Sequence, residues 1–307
     1  MNWKINLVLL FARLRKPIDG KTADDIKTLR KKADRAVWLG STMFNKKVPV
    51  KTITDTTANG VPVRIYNNTG QSNQRVIIYY HGGGFVLYGI YAYDYVCRRL
   101  CAMNNCLVVS VDYRLAPEHT FPAAHEDAFT AIQWVRHHIQ PYGGNPDNVV
   151  VAGDSAGGNL AACMAVRCKK EGIPLKAQIL VYPWIDGKLN NPSIERNGEG
   201  YLLERETMFW FQEQYTPRKE DRCLPEISPC YEKDLSGLAP AFILTAELDP
   251  LLDDGYKYYN QLNGAGNVVH YKEYRGMFHS FFSLPGIHPI AMSAYHDIHG
   301  FLQQLND

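Results

Sequence analysis

Short apolar runs rich in β-branched residues punctuate the chain at 48–53, 61–66, 75–80, 107–111, 149–152, 177–181, 241–245 and 268–274. From about residue 75 onward they alternate with helix-like stretches at 93–103, 122–139, 157–170 and 255–264. Strands alternating with helices of this length predict an α/β architecture, a mainly parallel sheet with helices on both faces. The unbroken apolar character of LVVSV, VVVAG and AFILTA fits central strands buried on both sides. The first two runs, separated by the turn-prone TTANG, predict an antiparallel hairpin at one edge.

Two regions depart from this rhythm. Residues 1–45 read as two helices separated near residues 17–20. The first carries Trp3, Leu7, Leu10, Phe11 and Leu14 at helical spacing, and the second runs from Ala23 to about Leu39. Residues 186–225 hold a polar, Gly- and Asn-rich loop, GKLNNPSIERNGEG, followed by the aromatic helix-like run LLERETMFWFQEQY. Together these regions could form a lid over the sheet.

Composition narrows the partners. At 307 residues the chain is one large domain or two small ones, and 33 Lys and Arg nearly balance 31 Asp and Glu. The short basic clusters, Arg13, Arg15, Lys16 and Arg30, Lys31, Lys32, sit in helical surroundings with acidic neighbours. They read as solvated helix faces, so no nucleic-acid partner is expected. The early apolar run, residues 7–12, is far short of the roughly 20 residues that span a bilayer, and basic residues follow it where a cleavage site would stand. No stable membrane insertion is expected, although the first helix could still touch a membrane surface. Seven cysteines without a C-x-x-C pair suggest reduced thiols in a cytoplasmic protein and give no support for zinc.

The candidate chemistry begins at NVVVAGDSAGGNLAACMAV, residues 148–166. Ser155 follows a strand and precedes an Ala-rich helix, within a G-x-S-x-G match. A nucleophile held on a strained strand-to-helix turn needs small neighbours, here Gly153, Ala156, Gly157 and Gly158. The same residues also suit an ordinary turn. A phosphate loop is excluded, because the Gly-Lys-Ser/Thr ending is missing.

The second cluster is YYHGGGFVLYG, residues 79–89, directly after a strand. Three consecutive glycines make sense if backbone N–H groups must point into a site where negative charge develops. Alone, the triplet would read as a flexible turn. A serine nucleophile also needs an oriented base. Of ten histidines, His137 and His138 fall in a helix, and His296 and His299 form an i,i+3 pair on a solvated helix face. His279 lies in RGMFHSFFSLPG just past the last strand, and Asp249 in TAELDPLLDDG just past the strand before it. The chain order Ser155, Asp249, His279 is nucleophile, acid, histidine.

With these motifs in order, HGGGF at 81–85, DYRLAPEHTFPAAHED at 112–127, GDSAGG at 153–158, ELDPLLDDG at 247–255 and GMFHSF at 276–281, the sequence resembles the hormone-sensitive-lipase-like carboxylesterases of the α/β-hydrolase fold. The resemblance covers about residues 75–285. It implies Ser155 as nucleophile, His279 as general base and then acid, and Asp249 as the group orienting the imidazole. It places oxyanion donors on the N–H groups of Gly83, Gly84 and Ala156, and gives His81, Asp154 and the block from Tyr113 to His119 supporting roles. Two positions depart from the family pattern: Leu252 stands where Arg is common, and Ser280 where Gly is common.

The organisation expected is N-terminal cap helices at 1–45 and a catalytic domain at 46–307 with a cap insertion at about 186–225. Phe85, Tyr88, Phe209, Trp210, Phe211 and Tyr215 are candidate pocket residues, with simple packing of the cap as the alternative. The expected activity is serine carboxylesterase action on short- to medium-chain acyl or aryl esters through an acyl-enzyme. The alternatives are an amidase or deacetylase with the same triad, and a non-catalytic receptor on the same scaffold. No cofactor or metal is expected. The expected partner is a small-molecule ester, with a homodimer left open.

Overall fold

The computed structural model describes residues 23–44 and 47–305. The amphipathic helix expected from Trp3 to Leu14, with its basic cluster, lies outside them. The second helix, α1 (Ala23–Phe44), runs about one turn beyond its expected end at Leu39.

Eight strands are present, seven over the expected runs and the first displaced from 48–53: β1 (Thr52–Ala58), β2 (Val61–Asn67), β3 (Gln74–Tyr80), β4 (Leu107–Val111), β5 (Gly144–Asp154), β6 (Ala177–Val181), β7 (Ala241–Leu248) and β8 (Val269–Phe278). They form one sheet in the order β1-β2-β4-β3-β5-β6-β7-β8. Pairing is parallel from β4 through β8, while β1–β2 and β2–β4 are antiparallel. The edge hairpin is therefore real, but its turn is tighter than TTANG. Thr56 and Thr57 pair with Val63 and Pro62, which leaves Asn59 and Gly60, both at positive φ, to make the reversal.

Alternate side chains on a strand point to opposite faces, and this divides the core in two. Val76, Ile78, Val109, Val149 and Val151 face one side, covered by α3 (Ala123–His138), α4 (Ala156–Lys170) and α7 (Leu252–Gly264). Ile77, Tyr79, Val108, Val150, Ile179 and Val181 face the other, covered by α2 (Asp94–Asn104) and α8 (Pro289–Gln304). The sequence predicts α8 only as a solvated face carrying His296 and His299; of the two, His299 is half-buried and bonded to Asn104 (3.1 Å). The helix's opposite face buries Ala291, Ala294, Tyr295, Ile298, Phe301 and Leu302 at three- and four-residue spacing, closing that layer.

The stretch between β6 and β7 holds α5 (Pro192–Asn197) and α6 (Arg205–Tyr215). GKLNNPSIERNGEG is thus not all loop. Its Asn-Pro-Ser sequence opens a helix with proline in the first turn, a start signal masked by the polar composition. All seven cysteines are free, and only Cys223 is exposed. Among the described residues, no helix is long and apolar enough to cross a membrane.

Candidate active site

Strand β5 ends at Asp154 and α4 begins at Ala156, so Ser155 alone makes the turn, at φ 55° and ψ −119°. That conformation costs a residue with a side chain on the order of 1–3 kcal/mol and persists only when its surroundings impose it. Here the Ser155 N–H donates to the Val181 carbonyl (2.9 Å), and the Ser155 carbonyl accepts from Asn159 and Trp184 N–H (3.0 and 3.1 Å). The turn can be this tight because a Cβ at Gly157 would collide with the Tyr80 carbonyl, and one at Gly153 with the Gly157 carbonyl. Strand and helix backbones touch where any larger residue would separate them.

The Ser155 hydroxyl lies 3.0 Å from His279 Nε2, and His279 Nδ1 lies 2.7 Å from Asp249 Oδ2. An ionised carboxylate only accepts, so the proton sits on Nδ1 and Nε2 offers its lone pair to the serine. Asp249 Oδ1 accepts the Leu251 N–H (2.8 Å), and the Asp249 side chain is wholly buried. The Tyr182 ring packs against the imidazole with centroids 4.6 Å apart. Ser280, the residue that departs from the family's glycine, stands at φ 68°, a left-handed conformation in which glycine carries no strain.

Beside this array, Gly83, Gly84 and Phe85 take φ of 114°, 62° and 63°. The Gly83 carbonyl accepts from Val86 and Leu87 N–H (3.1 and 2.9 Å), which closes the loop on itself. Among the described residues, no hydrogen bond engages the N–H of Gly83, Gly84 or Ala156.

Asp154 joins this loop to the serine turn. It accepts from Tyr79 (2.8 Å), Tyr93 (2.9 Å) and the Gly82 N–H (3.0 Å). Burial pushes its carboxyl up to about 6, against the pull of the two tyrosine hydroxyls. His81 stacks on Tyr113 at 4.3 Å, and the Tyr113 hydroxyl donates to the His81 carbonyl. Burial lowers the His81 pKa, which favours the neutral ring. In the block from Tyr113 to His119, Arg114 bonds Asp127 and Glu118 bonds Arg30, so its charges serve the scaffold.

The six candidate pocket residues separate. The Phe211 ring covers Gly84, and the Tyr88 ring lies beside Gly83. Trp210 is half-buried against Phe211, at 5.3 Å. Phe85 and Tyr215 stack on each other at 3.8 Å, and the Tyr215 hydroxyl bonds His125 Nδ1 (2.8 Å). These two rings brace the glycine loop from behind. Phe209 is 41 % exposed, because α6 buries Met208, Phe211, Gln212 and Tyr215 and so turns position 209 to solvent. It is removed from the pocket set.

Sequence reading also missed Arg30. The local sequence places it on a solvated face, but its guanidinium donates to the carbonyls of Val86 and Ala116 (both 2.7 Å) and bonds Glu118 through two nitrogens. It ties α1 to the far end of the glycine loop. Nothing in the local pattern marks a residue whose partners lie more than 50 positions away. A surface cleft of about 1160 Å³ beside Arg30 is lined by Tyr88, Arg64, Asp94 and Asp112, and Ser155 is not part of it.

A family model described as the alpha/beta hydrolase fold matches residues 77–283. The chain belongs to the α/β-hydrolase family. Within it the chain falls in the hormone-sensitive-lipase-like branch. It is 36 % identical over 283 residues to carboxylesterase NlhH of Mycobacterium tuberculosis, covering 91 % of this chain and 89 % of that one. It is 36 % identical over 239 residues to an ethyl acetate hydrolase of Pseudomonas putida, covering 76 % and 75 %. An esterase from Pyrobaculum calidifontis superposes with a TM-score of 0.90 at 34 % identity, covering 97 % of both chains. In this hydrolase the loops after three different strands bring Ser155, Asp249 and His279 together at the sheet's carboxyl-terminal edge.

Proposed function

We propose that the protein is a serine carboxylesterase acting on short- to medium-chain acyl or aryl esters. One observation carries the reading: His279 bridges Asp249 and Ser155 at hydrogen-bond distance, beside three N–H groups that have no partner among the described residues. In the acylation step, Ser155 Oγ attacks the ester carbonyl as His279 Nε2 takes its proton. The carbonyl oxygen becomes an oxyanion facing the Gly83, Gly84 and Ala156 N–H groups, each worth on the order of 3 kcal/mol there. Collapse breaks the bond to the alcohol, which leaves with the proton from His279. Water then attacks the acyl-enzyme by the same route, releasing the acid and restoring Ser155.

The carboxylesterase, ethyl acetate hydrolase and esterase names of its relatives support ester over amide cleavage. The Phe211 ring over Gly84 favours modest acyl groups. A receptor on this scaffold would need no histidine in contact with the serine. We further propose that α1 and the stretch at 186–225 act as the cap, since Arg30 and Phe211 both reach the glycine loop. Six buried free thiols are in keeping with a cytoplasmic setting.

A chain-length series of p-nitrophenyl esters with one aryl amide tests the assignment, alongside fluorophosphonate labelling. Turnover should peak at short or medium acyl chains, and the label should sit on Ser155. Near wild-type turnover by Ser155→Ala, or a label elsewhere, would refute it.

A further inference from the structure

The stretch between β6 and β7 reaches the acid turn from behind. Helix α5 buries Ser193 and Asn197, one turn apart and so on the same helix face. Asn197 Nδ2 donates to the carbonyls of Glu247 (2.9 Å) and Asp249 (3.1 Å). Ser193 Oγ donates to the Pro250 carbonyl (2.7 Å) and accepts the Asp253 N–H (3.1 Å), while the Ser193 N–H donates to Asp253 Oδ2 (2.7 Å).

These bonds fall where the sheet gives out. The β7–β8 register shifts between Ala246 and Leu248, so the carbonyls just beyond are leaving the ladder. Buried carbonyls without partners are costly, and Asn197 supplies a donor to that of Glu247 and a second donor to that of Asp249, which also accepts the Leu252 N–H (3.1 Å). The end of β7 is also tied to the end of β8, just before His279, by Glu247 Oε2, which accepts the Gly276 N–H (2.7 Å). Among the described residues, the Asp249 carboxylate itself is held by Leu251 N–H and His279 alone, so its position follows its backbone.

We propose that Asn197 is a positioning residue for the acid: from the connection between β6 and β7 it fixes the backbone that aims Asp249 at His279. The proposal rests on the acid role given to Asp249 above. It makes the stretch between β6 and β7 part of the triad's scaffold as well as a cover for the substrate.

The test compares Asn197→Ala, Asn197→Ser and Asp249→Ala in p-nitrophenyl acetate hydrolysis, with pH profiles and thermal melts. Asn197→Ala should lower kcat by about ten- to a hundredfold with KM little changed, the loss expected when a reacting group is misplaced by a fraction of an ångström. Its kcat/KM–pH profile should also depart from wild type, because the base no longer faces an aligned carboxylate. Asn197→Ser keeps one donor and should fall between. An Asn197→Ala protein that melts earlier but keeps wild-type kcat and pH profile would overturn the proposal. Should Asn197→Ala not fold, wild-type kcat and profile in Asn197→Ser would do the same. If Asp249→Ala kept wild-type turnover, the triad reading itself would fall, and this proposal with it.

Discussion

The Phe211 ring occupies the space that a Cβ on Gly84 would need, and Gly84 also sits at φ 62°. Two independent constraints therefore hold that position to glycine. Gly84→Ala should lower kcat by at least about a hundredfold as the donor array distorts. Adding Phe211→Ala makes room but leaves the backbone strain, so thermal stability should recover further than kcat. Full recovery of kcat in the double variant would show that crowding alone mattered.

Phe211→Ala by itself should extend the accepted acyl chain and cost about 3 kcal/mol of stability, as for other large-to-small core changes. The ratio of kcat/KM for p-nitrophenyl octanoate over acetate measures the first effect, and a urea melt the second. An unchanged ratio would remove Phe211 from the substrate pocket.

Ser155 is held at a backbone conformation that glycine adopts freely. Ser155→Gly should therefore lose turnover and yet melt at a higher temperature, a gain of about 1 kcal/mol once released strain is set against chain entropy. A lower melting temperature than wild type would mean that the turn is not strained.

Asp254 is wholly buried, with Oδ2 accepting the Ile185 and Asp186 N–H groups (2.7 and 2.8 Å) and Oδ1 bonded by Asn191. Burial pushes its carboxyl up to about 7 from an ordinary 3.8, although the donors pull the other way. Through that interval the folded chain keeps a proton that the unfolded chain releases, so this group's stabilisation is lost as pH rises through about 7. Asp154, pushed up to about 6, acts with the same sign at lower pH. Thermal stability should fall as pH rises from about 4 to about 7 and level off above, and Asp254→Asn, which keeps an acceptor for both N–H groups, should flatten that slope. An equal slope in the variant would refute the assignment.

Arg30→Ala removes the guanidinium that bonds Val86, Ala116 and Glu118. Hydrogen bonds of this charged kind carry about 1–3 kcal/mol. The variant should melt earlier and show a raised KM with kcat nearly intact, since the bonds hold α1 to the glycine loop without touching the triad. A fall in kcat at constant KM would place Arg30 closer to the chemistry than its contacts imply.

The strands could be read because VVVAG and LVVSV declare burial on both faces by composition alone. Ser155, Asp249 and His279 could be read because each ends up just past a strand, in a local sequence that stops the strand. What escaped was carried by partners distant in sequence. Asn197 and Ser193 look like loop residues until their carbonyl partners at 247–250 come into view. Phe209 and Phe211 are equally aromatic on paper, and only the docking of α6 decides which one faces Gly84. The end of α1 and the true extent of the first hairpin turn were missed for a plainer reason: neither is marked by a change in hydropathy.

The lone exposed thiol has an experimental use. Cys223 lies between α6 and β7, while the other six sulfurs are buried. Maleimide added to the native protein should therefore report from one place, on the stretch that carries Phe211. A fluorophore there, paired with a quenching ester analogue, would time any opening of that stretch during turnover without an engineered cysteine.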